Sequence, residues 1–299
     1  MVKVPAEKIA AEKIVIGVSD AASRKAVEWV IERARGHRVE VTLVGAYDWT
    51  GAPFSEVAAT LRTVRSQIGD ASPHTVVQVI ESEDGPSEAL AAATEHADLL
   101  VIGSHQRSKL QERLGVRSLR LARNENCATV IVPEAWTPRS TGTVVVGLDE
   151  ASSAAPLEFA AREAARAGAR LEVVHAWTAP LPAYDPLVWL VDTEEELRDA
   201  HRSLLDAALD RLQAEHPSVR LGGYLEECTP SAALRDRGTE ADLIVIGSHT
   251  EGPIVRAILG STARELLRDA TVPLCIIPSS AVPAPAATPQ RASGSPRSR

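Results

Sequence analysis

Short runs of aliphatic and β-branched residues recur along the chain. The first half carries IVIGV, VEVTLVGAY, TVVQVI, DLLVIG and ATVIV; the second carries TVVVGL, LEVVHAW, VRLGGYLEE, DLIVIG and PLCIIP. They lack a strict apolar/polar alternation, so they read as strands buried on both faces, as in a parallel sheet. Between them the apolar spacing lengthens to the helical period. SRKAVEWVIERAR and PSEALAAATEHA fill gaps in the first half; SAAPLEFAAREAARAG, TEEELRDAHRSLLDAALDRLQAEH, PSAALRDRG and TARELLRDA fill those of the second. Pro86 falls at a helix start, where its missing N–H costs little. This alternation predicts an α/β fold: two tandem doubly wound domains of Rossmann-like type, each a five-stranded, mostly parallel sheet with helices on both faces.

The two halves are copies. ADLLVIGSH (Ala97–His105) returns as ADLIVIGSH (Ala241–His249), 144 residues on. KIVIGVSD (Lys13–Asp20) returns as TVVVGLDE (Thr143–Glu150), and VGAY (Val44–Tyr47) as VHAW (Val174–Trp177), both at an offset of 130. DGPSEAL (Asp84–Leu90) matches CTPSAAL (Cys228–Leu234) at 144, so the second copy gains 14 residues between Trp177 and Cys228. Units of this length are domains, not solenoid repeats. The expected division is 1–136, 137–278 and a basic Pro/Ser/Ala-rich tail over 279–299, expected to be disordered. VPEAWTPRSTGT (Val132–Thr143) is the linker. The extra residues fall on APLPAYDPLVWLVD (Ala179–Asp192), whose cluster Leu187–Val191 needs cover from water. Each half ends in a short apolar strand that would be a bare edge in an isolated domain. Antiparallel pairing of ATVIV with PLCII would join the halves about a pseudo-twofold axis.

Composition narrows the function. A 44% hydrophobic content over 299 residues suffices for two cores, and with 3% aromatics they must be aliphatic. The net charge of −8 argues against nucleic acid or an anionic membrane as partner. No apolar run reaches membrane-spanning length, and the segment MVKVPAEKIAAEK lacks a signal-peptide core. The cytoplasm is the expected compartment. Cys127 and Cys275, in strand-like settings, read as small core residues.

In doubly wound sheets ligands bind beyond the carboxyl ends of the strands, at the switch in strand order. In the second half that singles out GLDEASS and GSHTEGPIVRAILGST. Gly260, Ser261 and Thr262 open the last helix, where free N–H groups and the helix dipole make an anion seat. Thr262-Ala-Arg-Glu265 also fits a capping box, which accounts for the hydroxyl without a ligand. The chain has no G-x-x-x-x-G-K-[ST] or G-x-G-x-x-G loop, and no acids and base placed together for catalysis. It is therefore not expected to be an enzyme, any ATP hydrolysis being weak and incidental. No metal site is expected, since His249 has no second ligand at a helpful spacing.

The blocks VVVGLDEASS, VVHAW, CTPSAAL and ADLIVIGSHTEGPIVRAILGSTARELLRDATVPLCIIP resemble the universal stress protein family over essentially all of the second half. The first half resembles it in more diverged form. The resemblance implies an ATP-binding stress-response regulator, with or without Mg2+, whose halves pair with each other and which can form a homodimer. Its loop pattern, G-x2-G-x9-G-[S/T], cradles phosphates in ATP-binding members. Carried over, Gly147, Leu148 and Asp149 end the first strand beside the adenosine. Ala176 meets the adenine, and Ile246 and Gly247 end the fourth strand. Gly260, Ser261 and Thr262 form the phosphate loop. Thr250 stands where the pattern has its second glycine. Asp149 also fits an N-cap of the following helix. The first half departs further: Ser19 replaces the aspartate, Gln106 the second glycine, and only eight residues (Arg107–Leu114) precede Gly115-Val116-Arg117. The adenine nucleotide is thus expected mainly in the second half, with Leu187–Val191 covering it or packing on another chain. The alternative is a nucleotide-free scaffold of the same fold that acts through dimerisation.

Overall fold

The computed structural model describes residues 11–18, 23–35, 37–46, 54–104, 126–149, 154–178, 194–248, 260–268 and 270–278. The first half runs β1 (Glu12–Gly17), α1 (Ser23–Ala34), β2 (Val39–Ala46), α2 (Phe54–Ala71), β3 (Val76–Ser82), α3 (Pro86–Ala93), β4 (Leu99–Ser104) and β5 (Ala128–Pro133). The second runs β6 (Thr143–Leu148), α4 (Ala155–Ala167), β7 (Arg170–Trp177), α5 (Glu194–Glu215), β8 (Arg220–Glu227), α6 (Pro230–Gly238), β9 (Leu243–Gly247), α7 (Ser261–Arg268) and β10 (Leu274–Ile277). The predicted fold class holds in both halves. Thr250, the 179–192 insertion, Ser19, the loop from Gln106 to Ser118 and the 279–299 tail lie outside the described residues.

The strand order is β3-β2-β1-β4-β5-β10-β9-β6-β7-β8, one ten-stranded sheet. Within each half every pairing is parallel. Between the halves β5 meets β10 antiparallel, with Ile131 opposite Leu274, Val130 opposite Cys275 and Thr129 opposite Ile276. The expected edge pairing is therefore present, and it removes both inner edges. Two apolar layers cover the sheet. One, under α1, α2, α4 and α5, runs without a break from Ile16 and Leu43 to Val146 and Leu171. The other, under α3, α6 and α7, holds Leu90, Leu100, Leu234 and Leu266.

Matched positions carry matched cores. Leu61 and Ile68 of α2 correspond to Leu205 and Leu212 of α5, and all four are fully buried. Burying such a side chain stabilises by about 1.5–3 kcal/mol. The offset of 144 is already in force at Leu205, so the extra residues precede it. Asp98 and Asp242, the D of the repeated ADL string, are structural. Asp98 accepts a hydrogen bond from the Lys13 amide at 2.8 Å. Asp242 accepts from the Thr141, Gly142 and Thr143 amides at 2.7, 2.8 and 3.3 Å. Each carboxylate thus pins the start of the first strand of its half to the start of the fourth. Gly168 ends α4 at φ +62°, a left-handed turn that glycine adopts without Cβ strain.

The seam between the halves also carries charge. Arg33 of α1 and Glu163 of α4 are 130 residues apart, the same position in the two copies, and they bond twice, at 2.6 and 2.7 Å. Glu12 accepts from Arg33 at 2.7 and 2.9 Å, and Arg166 donates to Glu163 at 3.0 Å. The result is an alternating row, Glu12–Arg33–Glu163–Arg166. Burial alone would raise the Glu163 carboxyl, but the Arg33 and Arg166 guanidiniums outweigh it and hold the pKa at about 2. Burial opposes the charge on Arg33, yet its two glutamates keep that pKa above the ordinary value. Burial, with Asp98 nearby, pushes the Cys127 thiol up to about 12, and burial also raises Cys275. Both thiols therefore stay protonated and act as core residues.

Candidate functional site

In the second half the strand order switches between β6 and β9. A cleft of about 200 Å³ opens there, between the carboxyl ends of β6, β7 and β9 and the starts of α6 and α7. Its lining includes Gly147, Leu148, Asp149, Ala176, Ile246, Gly247, Gly260 and Thr262. Eight of the ten residues expected from the sequence thus meet at one place. Ser261 is exposed and is not among the lining residues; Thr262 is. Thr250 lies outside the described residues.

Two glycines shape the walls. A Cβ on Gly147 would meet Leu234 Cδ1 at 3.3 Å and Ile246 Cγ2 at 3.8 Å, so a side chain there would fill the floor. A Cβ on Gly260 meets none of the described residues within 4 Å, so on their side the backbone at the start of α7 is open to a ligand.

The start of α7 corrects the capping-box expectation. The helix begins at Ser261, and the Gly260 carbonyl accepts from the Arg264 amide at 3.3 Å. Thr262 therefore lies inside the first turn and cannot be the N-cap. Glu265 instead accepts a short hydrogen bond from Ser231 Oγ. Ser231 is buried at the start of α6, so this bond fixes the α7 N-terminus against α6. The amides of Ser261, Thr262 and Ala263 precede the regular i→i−4 ladder of the helix, leaving a local positive potential. On α6 itself, Thr229 caps the helix, accepting from the Ala232 amide at 3.4 Å, with Pro230 next. Pro230 also lines the cleft.

Asp149 does not cap the following helix. The N-cap of α4 is Ala154, without a side-chain bond, and Asp149 is exposed at the end of β6. It borders the cleft and also a second cavity of about 220 Å³ toward α4 and α5, which Arg211 lines as well. Among the cleft residues the ionisable side chains are Asp149 and His175. The His175 ring is engaged on the α5 side of the sheet: its Nδ1 lies 3.0 Å from the Leu148 carbonyl and its Nε2 2.9 Å from His201 Nδ1. No acid and base converge on the cleft among the described residues.

Sequence reasoning missed Val174, His175, Pro230, Leu234, Ser248, Ala263 and Ile276 as lining residues. Leu234 and Ile276 carry no signal beyond core periodicity. His175 did carry one, because the VGAY copy has glycine at the same place.

Elsewhere, Glu158 of α4 faces Glu215 and His216 at the end of α5, within mutual reach for a metal. His216 Nε2 lies 3.0 Å from Glu158 Oε2. Burial raises Glu158, but hydrogen bonding to Glu215 and His216 leaves it below its ordinary value, and Glu215 rises in turn through its bond to Glu158.

A sequence model of the universal stress protein family matches residues 11–133 and again 141–278, and the chain belongs to that family. A universal stress protein of Mycolicibacterium smegmatis is 26% identical over 289 residues, 88% of this chain and 96% of its own length. Universal stress protein MT2698 of Mycobacterium tuberculosis is 26% identical over 287 residues, 88% of this chain and 95% of its own. The crystal structure of a universal stress protein from Archaeoglobus fulgidus shares the fold, with a TM-score of 0.65 at 18% identity over 89% of this chain and 96% of that one. No helix among the described residues is long and apolar enough to cross a membrane.

Proposed function

We propose that the second half binds one adenine nucleotide, ATP foremost, and that the chain is a non-enzymatic, cytoplasmic stress-response regulator. The observation that carries this reading is the cleft at the β6/β9 switch, with the open backbone of Gly260 at the α7 N-terminus, Thr262 beside it and Asp149 across from it. An apolar wall of Val174, Ala176, Leu234 and Ile246 suits a flat base. The helix start suits phosphates, and a carboxylate suits a sugar hydroxyl or an exocyclic amine. Mg2+ would enter on the phosphates rather than on a protein cage, because Asp149 is the single carboxylate among the described lining residues.

The test is mass spectrometry of the gently purified protein, expected to release an adenine nucleotide, followed by calorimetry with ATP. Failure to bind ATP at about millimolar concentration, a weak affinity, would favour the scaffold reading. In that reading a homodimer, or the paired halves alone, carries the function.

A further inference from the structure

At one pair of positions the halves differ in kind. His175 of β7 stands where β2 has Gly45, and His201 of α5 stands where α2 has Val57. These positions adjoin in both copies. A Cβ built on Gly45 would meet Val57 Cγ1 at 2.9 Å and Leu61 Cδ1 at 2.8 Å, so the first half closes the contact with hydrocarbon. The second half places two imidazoles there, 2.9 Å apart, and His175 is 3% exposed.

The partners dictate the tautomers. A carbonyl only accepts, so His175 Nδ1 bears the hydrogen and donates to Leu148. In the neutral ring Nε2 then accepts, so His201 Nδ1 bears a hydrogen and donates to it. Leu148 ends β6 and precedes Asp149, and both line the cleft. A line of donors thus runs from α5 through β7 to the rim of the cleft.

We propose that His175 and His201 are positioning residues, a relay that holds the Leu148–Asp149 end of β6 in place. The inference rests on the cleft being the binding site, not on the ligand being ATP.

Among the described residues, charged side chains lie on the elements that carry the pair and on their neighbours. Arg198 of α5 lies 5.6 Å over the Trp177 ring, which itself lies 5.2 Å from the His201 ring. Arg198 is paired with Glu227 of β8 at 2.7 Å and with Glu194 at 3.7 Å. Asp149 stands at the end of β6, and Arg211 lines the second cavity with it. α4 presents Glu158 to His216, at the far end of α5.

The test is nitrogen-15 NMR on the full chain without nucleotide. His175 should show the Nδ1–H tautomer at neutral pH. His201→Asn keeps an N–H donor near the Nδ1 position. It should leave the Leu148 and Asp149 amides at the parent's positions. His201→Val, the first half's own residue, should displace them at neutral pH. An Nε2–H tautomer at His175, or amides indifferent to the rings, overturns the proposal. Calorimetry with ATP on the same proteins should show His201→Val weakened by about tenfold, the order of one hydrogen bond, and His201→Asn close to the parent. A parent that binds no ATP overturns the nucleotide reading, while the ring-nitrogen result still decides the relay.

Discussion

The two halves place their strands in the same order, yet they differ at the seam and beside the cleft. β2 carries Gly45 where β7 carries His175, and α1 carries Arg33 where α4 carries Glu163. Gly85 opens α3 without a side-chain cap, whereas Thr229 caps α6 beside the cleft. The positions that did not diverge are core positions, such as the Leu61/Leu205 pair, and the Asp98/Asp242 anchors. Duplication preserved what folds each half. It released the seam, where Arg33 meets Glu163, and the cleft side, where Gly45 and Gly85 stand against His175 and Thr229.

The seam should respond most strongly. If equivalent positions have become an obligate opposite-charge pair, Arg33→Met leaves Glu163 buried with only Arg166. Breaking a buried pair from one side costs about 3–5 kcal/mol, which thermal denaturation will read as a large fall in Tm. A fall no greater than that of an ordinary surface substitution would reduce the pair to decoration.

The same contact sets an acid limit. The Glu163 pKa is about 2, well below its ordinary value. A carboxyl with a depressed folded-state pKa lends stability that is complete above its unfolded value and drains away as pH falls toward the folded one. Between about pH 4.5 and about pH 2 the loss should approach about 3 kcal/mol. Glu163→Gln should flatten that part of the stability–pH curve, as measured by urea titration at each pH.

The cleft should separate the halves by a smaller free energy. Gly260→Val puts a side chain into the space at the α7 start, where a Cβ meets none of the described residues within 4 Å. Losing two charge-assisted contacts to phosphate should weaken ATP by at least about a hundredfold. Gly115→Val, the matching change in the first half, should leave affinity almost unchanged. Equal effects would mean that the asymmetry is misassigned.

The smallest effect sits at the centre of the seam. Thr129 Oγ1 is buried opposite Ile276, without a hydrogen-bond partner among the described residues. Thr129→Val removes that unmet hydroxyl and keeps the shape, so it should stabilise the chain by about 1 kcal/mol.

Much of the fold was legible because its signals are local. Uninterrupted β-branched runs mark the strands, and the repeat doubles every such signal; burial on both faces holds inside the sheet but not at its outer strands β3 and β8, which contain no buried residue because each has a single neighbour. The β5–β10 pairing was legible too, since two short apolar edges in one chain have an obvious remedy. The cleft was readable as far as its backbone: Gly147, Gly247 and Gly260 announce close approach. What sequence alone misjudged were the caps. Asp149 and Thr262 both fit N-cap patterns, but the helices start six residues after one and one residue before the other. Helix starts are decided by tertiary contacts such as the Ser231–Glu265 bond, which spans 34 residues and leaves no periodic trace. The Arg33–Glu163 pair was hidden for the same reason, until the copies are superposed across the seam.

The central claim is that one fold, written twice, keeps its ligand site once. Isothermal calorimetry of the full chain with ATP tests it most directly. A stoichiometry of about one per chain, lost in Gly260→Val, is expected; a stoichiometry near two, or binding that survives Gly260→Val, would rule out a single site in the second half.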